Sequence, residues 1–279
     1  MHYLKLLLIR HAESIGNTQR RMEGQQSTSL SPLGQQQAQQ LSQTLIDLTR
    51  SKPLPKPPKS PPNPLPNPLR PHKALPTHLY SSPLLRAQQT ATALQQTLQT
   101  AHHPIQVQQH TDLQEMHPGI FQGLTWAEAT TQYPNLCEQL MTSLAWQPVP
   151  QAESLIAART RAQTWVNQLL SRHTPGDTIW AVSHAGIMLH IIAVIMGCDR
   201  TWKITIPHTA IFEFWLASTH WQTLGQNQFN PENWTLRRYN DTPHRICPSP
   251  HTSCPVADTV RWLSVAEVIG GKRTFRYSL

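Results

Sequence analysis

The residues that could do chemistry sit where apolar runs stop. LLLI at residues 6–9 is a short apolar run of the kind that makes a buried strand, and it ends in Arg10 and His11, with Glu13, Ser14 and Asn17 close behind. An imidazole beside a guanidinium suits a phosphate ester. The planar fork of arginine matches phosphate oxygens, and a neutral imidazole nitrogen can attack phosphorus. A second apolar run, TIWAVS, ends in His184, after which Ala185 and Gly186 open a helix. The free N–H groups and positive dipole end of that helix are expected to face whatever His184 contacts. SSPLLRAQQT presents Arg86 just past a strand end, in the first turn of a helix, and LQEMHPGIFQG presents Glu115 in a connection. In an open α/β sheet, ligands bind outside the carboxyl ends of the strands, where these residues fall. Taken singly, Arg86 reads as a surface arginine, Glu115 as a loop carboxylate and His184 as a hydrogen-bonded core histidine.

In this order and spacing, LIRHAESIGN, SSPLLRAQQT, LQEMHPGIFQG and WAVSHAGI resemble the histidine phosphatase superfamily, the phosphoglycerate mutase-like phosphatases, across residues 4–244. The resemblance implies metal-independent hydrolysis of a small phosphorylated metabolite through a phosphohistidine. It makes His11 the nucleophile and Glu115 the acid that protonates the leaving alkoxide and the base that later activates water. Arg10, Asn17, Arg86 and His184 become the groups that bind phosphate. Neither a cofactor nor a metal enters this scheme. Two alternatives remain: mutase-type phosphoryl transfer, or a catalytically weak member that binds a phosphorylated ligand or a partner. The chain departs from the family pattern at Ser27, downstream of Gly24, where an acidic residue is usual, and at His208, where asparagine is frequent. No Trp-Arg-Arg stretch follows Glu115, which favours hydrolase over mutase. Ala185 rather than aspartate follows His184, which argues against the acid phosphatase and phytase branch.

Strands and helices that alternate must position these groups. Ser31 is expected to cap a helix with Pro32 at its first position and Ala38, Leu41, Leu45 and Leu48 on its buried face. THLYSS resumes the sheet, and a second helix carries Ala87, Ala91, Leu94 and Leu98 on one stripe. IQVQ is a candidate strand, and TWAEATTQYP is expected to be helical. A long helix then carries Leu155, Ala158, Ala162, Trp165, Val166 and Leu169, closed by Arg172 and His173 in favourable placement for the helix dipole. IFEFWL and WTLRRYN read as further strands. The expected architecture is α/β, a doubly wound, mostly parallel sheet with helices on both faces. A single catalytic domain is expected over residues 1–244, with a proline-rich extended insert at 53–76, and a solvated or loosely docked tail over 245–279.

Composition bounds the partners. The 279 residues carry a net charge of +8, which favours anionic ligands, but no lysine-rich or arginine-rich run marks a nucleic-acid surface. The longest apolar stretch, IMLHIIAVIM, is interrupted by His190 and too short for a bilayer, so a soluble cytoplasmic protein without membrane partners is expected. Four dispersed cysteines, Cys137, Cys198, Cys247 and Cys254, imply no disulfide framework. His244, Cys247, His251 and Cys254 are spaced more widely than zinc motifs. Composition says nothing of the oligomeric state.

Overall fold

The structure, a computed structural model, describes residues 3–50, 75–202, 204–220 and 230–244. The proline-rich insert and the tail with Cys247, His251 and Cys254 fall outside these residues, apart from the insert's last two positions.

Strand β1, Leu4–Arg10, alternates its side chains between two apolar layers, so both of its faces are buried. Leu4, Leu6 and Leu8 enter one core cluster, and Leu7 and Ile9 enter the other. A short helix α1, Ile15–Thr18, follows. Ser14 Oγ accepts the Asn17 N–H at 3.1 Å, and Asn17 Oδ1 accepts the Ser14 N–H at 3.1 Å, a reciprocal cap that fixes the loop after His11. Helix α2, Pro32–Arg50, starts as expected, with the Gly34 N–H donated to Ser31 Oγ at 2.9 Å. Ala38, Leu41 and Leu45 are buried, but Ile46 fills the place expected of Leu48, which is only half-buried.

Strand β2, His78–Ser81, leads into helix α3, Leu85–Thr100, whose Ala87, Ala91, Leu94 and Leu98 are all buried. Strand β3, Val107–Gln109, is followed by helices α4, Trp126–Gln132, α5, Pro134–Thr142, and α6, Leu155–Arg172. Leu155, expected on the buried stripe of α6, is exposed because it opens the helix one turn before Ala158 reaches the core, and Leu170 is buried instead. His173 does not serve as a cation for the α6 dipole. It is buried, and its Nε2 lies 3.0 Å from the Tyr80 hydroxyl. Burial first, then the neighbouring His78, hold its pKa below the ordinary histidine value.

Strand β4, Thr178–Ser183, helix α7, Ala185–Ile195, and strands β5, Ile211–Leu216, and β6, Trp234–Asp241, complete one six-stranded sheet in the order β3-β2-β4-β1-β5-β6. It is a mixed sheet: β1 with β4, β2 with β4 and β2 with β3 pair in parallel, whereas β5 runs antiparallel to both β1 and β6. Helices α6 and α7 cover one face, and α2 and α3 the other. The carboxyl ends of β1, β2 and β4 therefore lie side by side, with Arg10 opposite Ser183. Among the described residues, no helix is long and apolar enough to cross a membrane.

Candidate active site

His11 is carried at the end of β1 by two main-chain contacts: its N–H is donated to Ser183 O at 2.9 Å, and its ring Nδ1 lies 2.7 Å from Ala12 O. A carbonyl oxygen can only accept, so Nδ1 carries the proton and Nε2 holds the free lone pair. Facing that lone pair, Arg86 Nε donates at 3.3 Å. Burial, followed by His184, Arg86, Arg10 and His208, pushes the His11 pKa well below the ordinary value, so the ring is neutral at neutral pH.

Arg86 is almost fully buried. Its Nη1 donates to Gln26 O at 2.6 Å and its Nη2 to Gly24 O at 2.7 Å, while Nε lies 3.8 Å from Glu23 Oε2. Burial lowers its pKa, and the carboxylates Glu23 and Glu115 act against that shift. The Ser27 hydroxyl accepts the Leu85 N–H at 3.0 Å, and so caps the helix that carries Arg86, whose own cap residue Leu84 has no side chain able to do so.

Arg10 is buried as well. It donates through Nη1 to Ile206 O and reaches His208 Nε2 from Nη2 at 3.0 Å. His208 also lies 3.0 Å from Asn17 Oδ1, so the departure from asparagine at this position keeps a ring nitrogen between Arg10 and Asn17. His184 stands 4.9 Å from His11 between ring centroids. Its Nε2 lies 2.8 Å from Ser82 Oγ, its buried Nδ1 has no hydrogen-bond partner, and burial followed by Arg86 and Arg10 holds its pKa well below the ordinary value. The Leu84 N–H occupies one lone pair of Ser82 Oγ at 3.3 Å. The Ser82 hydroxyl proton can then go to Nε2, which leaves the His184 proton on Nδ1, an N–H without an acceptor.

Glu115 corrects the expectation for α7. The free N–H groups of that helix are taken by a site carboxylate rather than left open to a ligand: Gly186 N donates to Glu115 Oε2 at 3.0 Å and Ile187 N to Oε1 at 3.1 Å, with Met116 N on Oε1 at 2.8 Å. His184, the cap residue of α7, gives no side-chain cap, and a carboxylate from a distant loop supplies it. A methyl group built at Gly186 would lie 2.5 Å from Glu115 Oε1, so the bare glycine leaves the carboxylate its place against the helix end.

Sequence reasoning missed Glu23. It is buried, and accepts from Ser14 Oγ at 2.6 Å, from Asn17 Nδ2 at 3.0 Å and from Thr28 Oγ1. The signal was an acidic residue directly before Gly24, where attention to the position after that glycine found only Ser27. All six expected site residues thus lie around the carboxyl ends of β1, β2 and β4. Two buried guanidiniums, Arg10 and Arg86, are brought to this end of the sheet, with the carboxylates Glu23 and Glu115 acting on Arg86. Among the described residues, the side chains here form no group of three close metal donors.

The family model for the histidine phosphatase superfamily (branch 1) matches residues 6–52 and 70–242 of this chain. A phosphoglycerate mutase-like protein 4 of Arabidopsis thaliana is 25% identical over 243 residues, covering 87% of each chain. A metal-independent phosphoserine phosphatase of the same plant is 24% identical over 231 residues, which is 79% of this chain and 84% of the relative. Among solved structures, mycobacterial glucosyl-3-phosphoglycerate phosphatase superposes with a TM-score of 0.59 at 22% identity, covering 85% of this chain and 99% of that one, which bears on the fold alone.

Proposed function

This chain belongs to branch 1 of the histidine phosphatase superfamily, and from that premise we propose that it hydrolyses phosphomonoesters of small cytoplasmic metabolites through a phosphohistidine on His11. The observation that carries the proposal is the state of His11. A neutral ring with its proton committed to Ala12 O turns the lone pair of Nε2 toward the Arg86 guanidinium, where a phosphoryl group would be held. Arg10, Arg86, the Nδ1–H of His184 and the amide of Asn17 draw the phosphoryl oxygens in. This concentrates positive charge where the transition state spreads negative charge.

Attack by Nε2 forms the N–P bond as the ester P–O bond breaks. Glu115, entering the cycle protonated on the lone pair of Oε2 that the Gly186 N–H leaves open, gives that proton to the departing alkoxide, then takes one from the water that cleaves the N–P bond, releasing inorganic phosphate and restoring both residues. The arginines already supply the charge that metal-dependent phosphatases draw from an ion, and a relative of this chain bears the name metal-independent phosphoserine phosphatase.

Rapid quench with phosphorus-labelled substrate, in the presence of a strong chelator, tests the reading. The wild type is expected to carry acid-labile label and to release inorganic phosphate, whereas His11→Ala with unchanged circular dichroism loses the label and at least about a thousandfold in turnover. Near-native turnover in His11→Ala, or turnover restored only by one divalent metal, would overturn it.

A further inference from the structure

Away from the phosphate pocket, at the opposite end of the sheet, three side chains converge that the reaction does not use. We propose that His78, His173 and Asp177 form a separate site for a divalent transition-metal cation of the zinc type. One donor atom from each residue lies within 4.8 Å of the others. Two imidazoles with one carboxylate match the three-protein-ligand zinc sites that keep a fourth position for water.

The fold builds this cluster from three element ends. His78 opens β2, Asp177 directly precedes β4, and His173 ends α6. The Thr77 N–H donated to Thr178 O at 2.7 Å locks the start of β2 against the start of β4. A tight turn between His173 and Asp177 is closed by Thr174 N on Asp177 Oδ2 at 2.9 Å and by Asp177 N on Thr174 O at 3.1 Å, with Gly176 at a φ of 109°. The rings of His78 and His173 meet edge to face, with centroids 4.3 Å apart.

Two further observations point to a cation rather than to an ion pair. His173 Nδ1 and Asp177 Oδ2 are 3.9 Å apart, too far for a hydrogen bond. With zinc bonds of about 2.0–2.2 Å, two ligands of one tetrahedral ion sit about 3.4 Å apart, which a small side-chain movement reaches. Each imidazole also has a hydroxyl on one ring nitrogen, the outer partner that metal-bound histidines use: Tyr80 on His173 at 3.0 Å and Thr77 on His78 at 2.9 Å. Both rings can then offer the other nitrogen.

The residues from Asp177 to His184 run along β4 at about 3.3 Å each, so the cluster lies about 20 Å from the phosphate pocket and takes no part in the reaction. Its role is to tie the ends of α6, β2 and β4 together.

The test uses tag-free full-length protein, stripped of metal and titrated with Zn²⁺ by calorimetry, with Co²⁺ as the spectroscopic probe. At Zn²⁺ about a hundredfold above Kd, Tm is expected to rise by about 5 °C. His78→Ala and Asp177→Asn, both placed outside the buried core, are expected to fold normally but to lose that rise and the visible Co²⁺ bands. Hydrolysis by the stripped wild type stays unchanged. No binding by the wild type, or the same Tm rise in both variants, would overturn the proposal, since an ion that survives both substitutions is held elsewhere.

Discussion

At the scale of single residues, one proton on His11 decides whether the ring can act as a nucleophile. Burial and four neighbouring cationic or titratable side chains favour the neutral form. A base whose pKa is depressed stays neutral further into acid, so activity that depends on it is lost only as the pH falls through the lowered value. We therefore expect kcat/KM to hold as the pH is lowered from 7 to about 6 and to bend downward only below the ordinary histidine pKa of about 6.5. The bend belongs to the coupled His11 and His184 pair rather than to either ring alone. An acid limb centred above that value, in a steady-state profile with a generic aryl phosphate, would contradict a neutral His11. Arg10, His11 and His184 were legible in the sequence because each sits where an apolar run stops, and the length of the run fixes the strand end. Arg86 and Glu115, taken singly a surface arginine and a loop carboxylate, stood out only through the family resemblance. Glu23 was not legible. Its burial is made by Ser14, Asn17, Thr28 and Arg86 from three separate segments, while its local sequence, MEGQQ, reads as solvated loop.

At the scale of elements, α7 and the loop that carries Glu115 act as one unit. The helix N-terminus holds the carboxylate through two N–H groups, and the carboxylate satisfies donors that the helix cannot satisfy by itself. Gly186→Ala drives a methyl group into Glu115 Oε1 and should swing the carboxylate out of position without touching His11 or either arginine. We expect kcat to fall about a hundredfold with KM little changed, since a displacement near 1 Å costs about that much. Circular dichroism should be unchanged, and trapped label on His11 should persist if the second step, which needs a base, slows more than the first. Loss of KM with intact kcat would place Glu115 in binding rather than proton transfer. The helices at 85–100 and 155–172 were legible from their apolar stripes, and β1 and β4 from their continuous apolar runs. The direction of β5 was not, because IFEFWL is buried on both faces in either direction. Its antiparallel course comes from how the chain returns from α7 to the edge of β1, which periodicity does not encode.

At the scale of the whole molecule, burying two arginines and two histidines around a proposed phosphate site carries a cost when no anion is bound. Arg10 and Arg86 are buried as cations beside His11 and His184, which are buried as neutral rings, so protonating either ring inside the fold adds like charge to a desolvated site. In the unfolded chain both rings titrate near the ordinary value of about 6.5. Below that pH the unfolded chain binds protons that the folded chain does not. Stability is therefore fully present above about 6.5 and falls with the pH from there down to the depressed folded values, by up to about 1.4 kcal/mol per pH unit for each ring. Paired carboxylates contribute in the same direction but mainly below about pH 5, which leaves a window in which the histidines dominate. Urea unfolding at pH 7.5, 6.0 and 5.5 is expected to show wild-type stability dropping across this window, and a His11→Ala, His184→Ala double variant dropping less steeply. Vanadate or phosphate should counter part of the wild-type loss, because an anion bound between the arginines stabilises the folded state and makes a proton on either ring easier to accommodate. Parallel pH dependence in the wild type and the double variant would mean that the acid sensitivity of this fold arises outside the phosphate pocket.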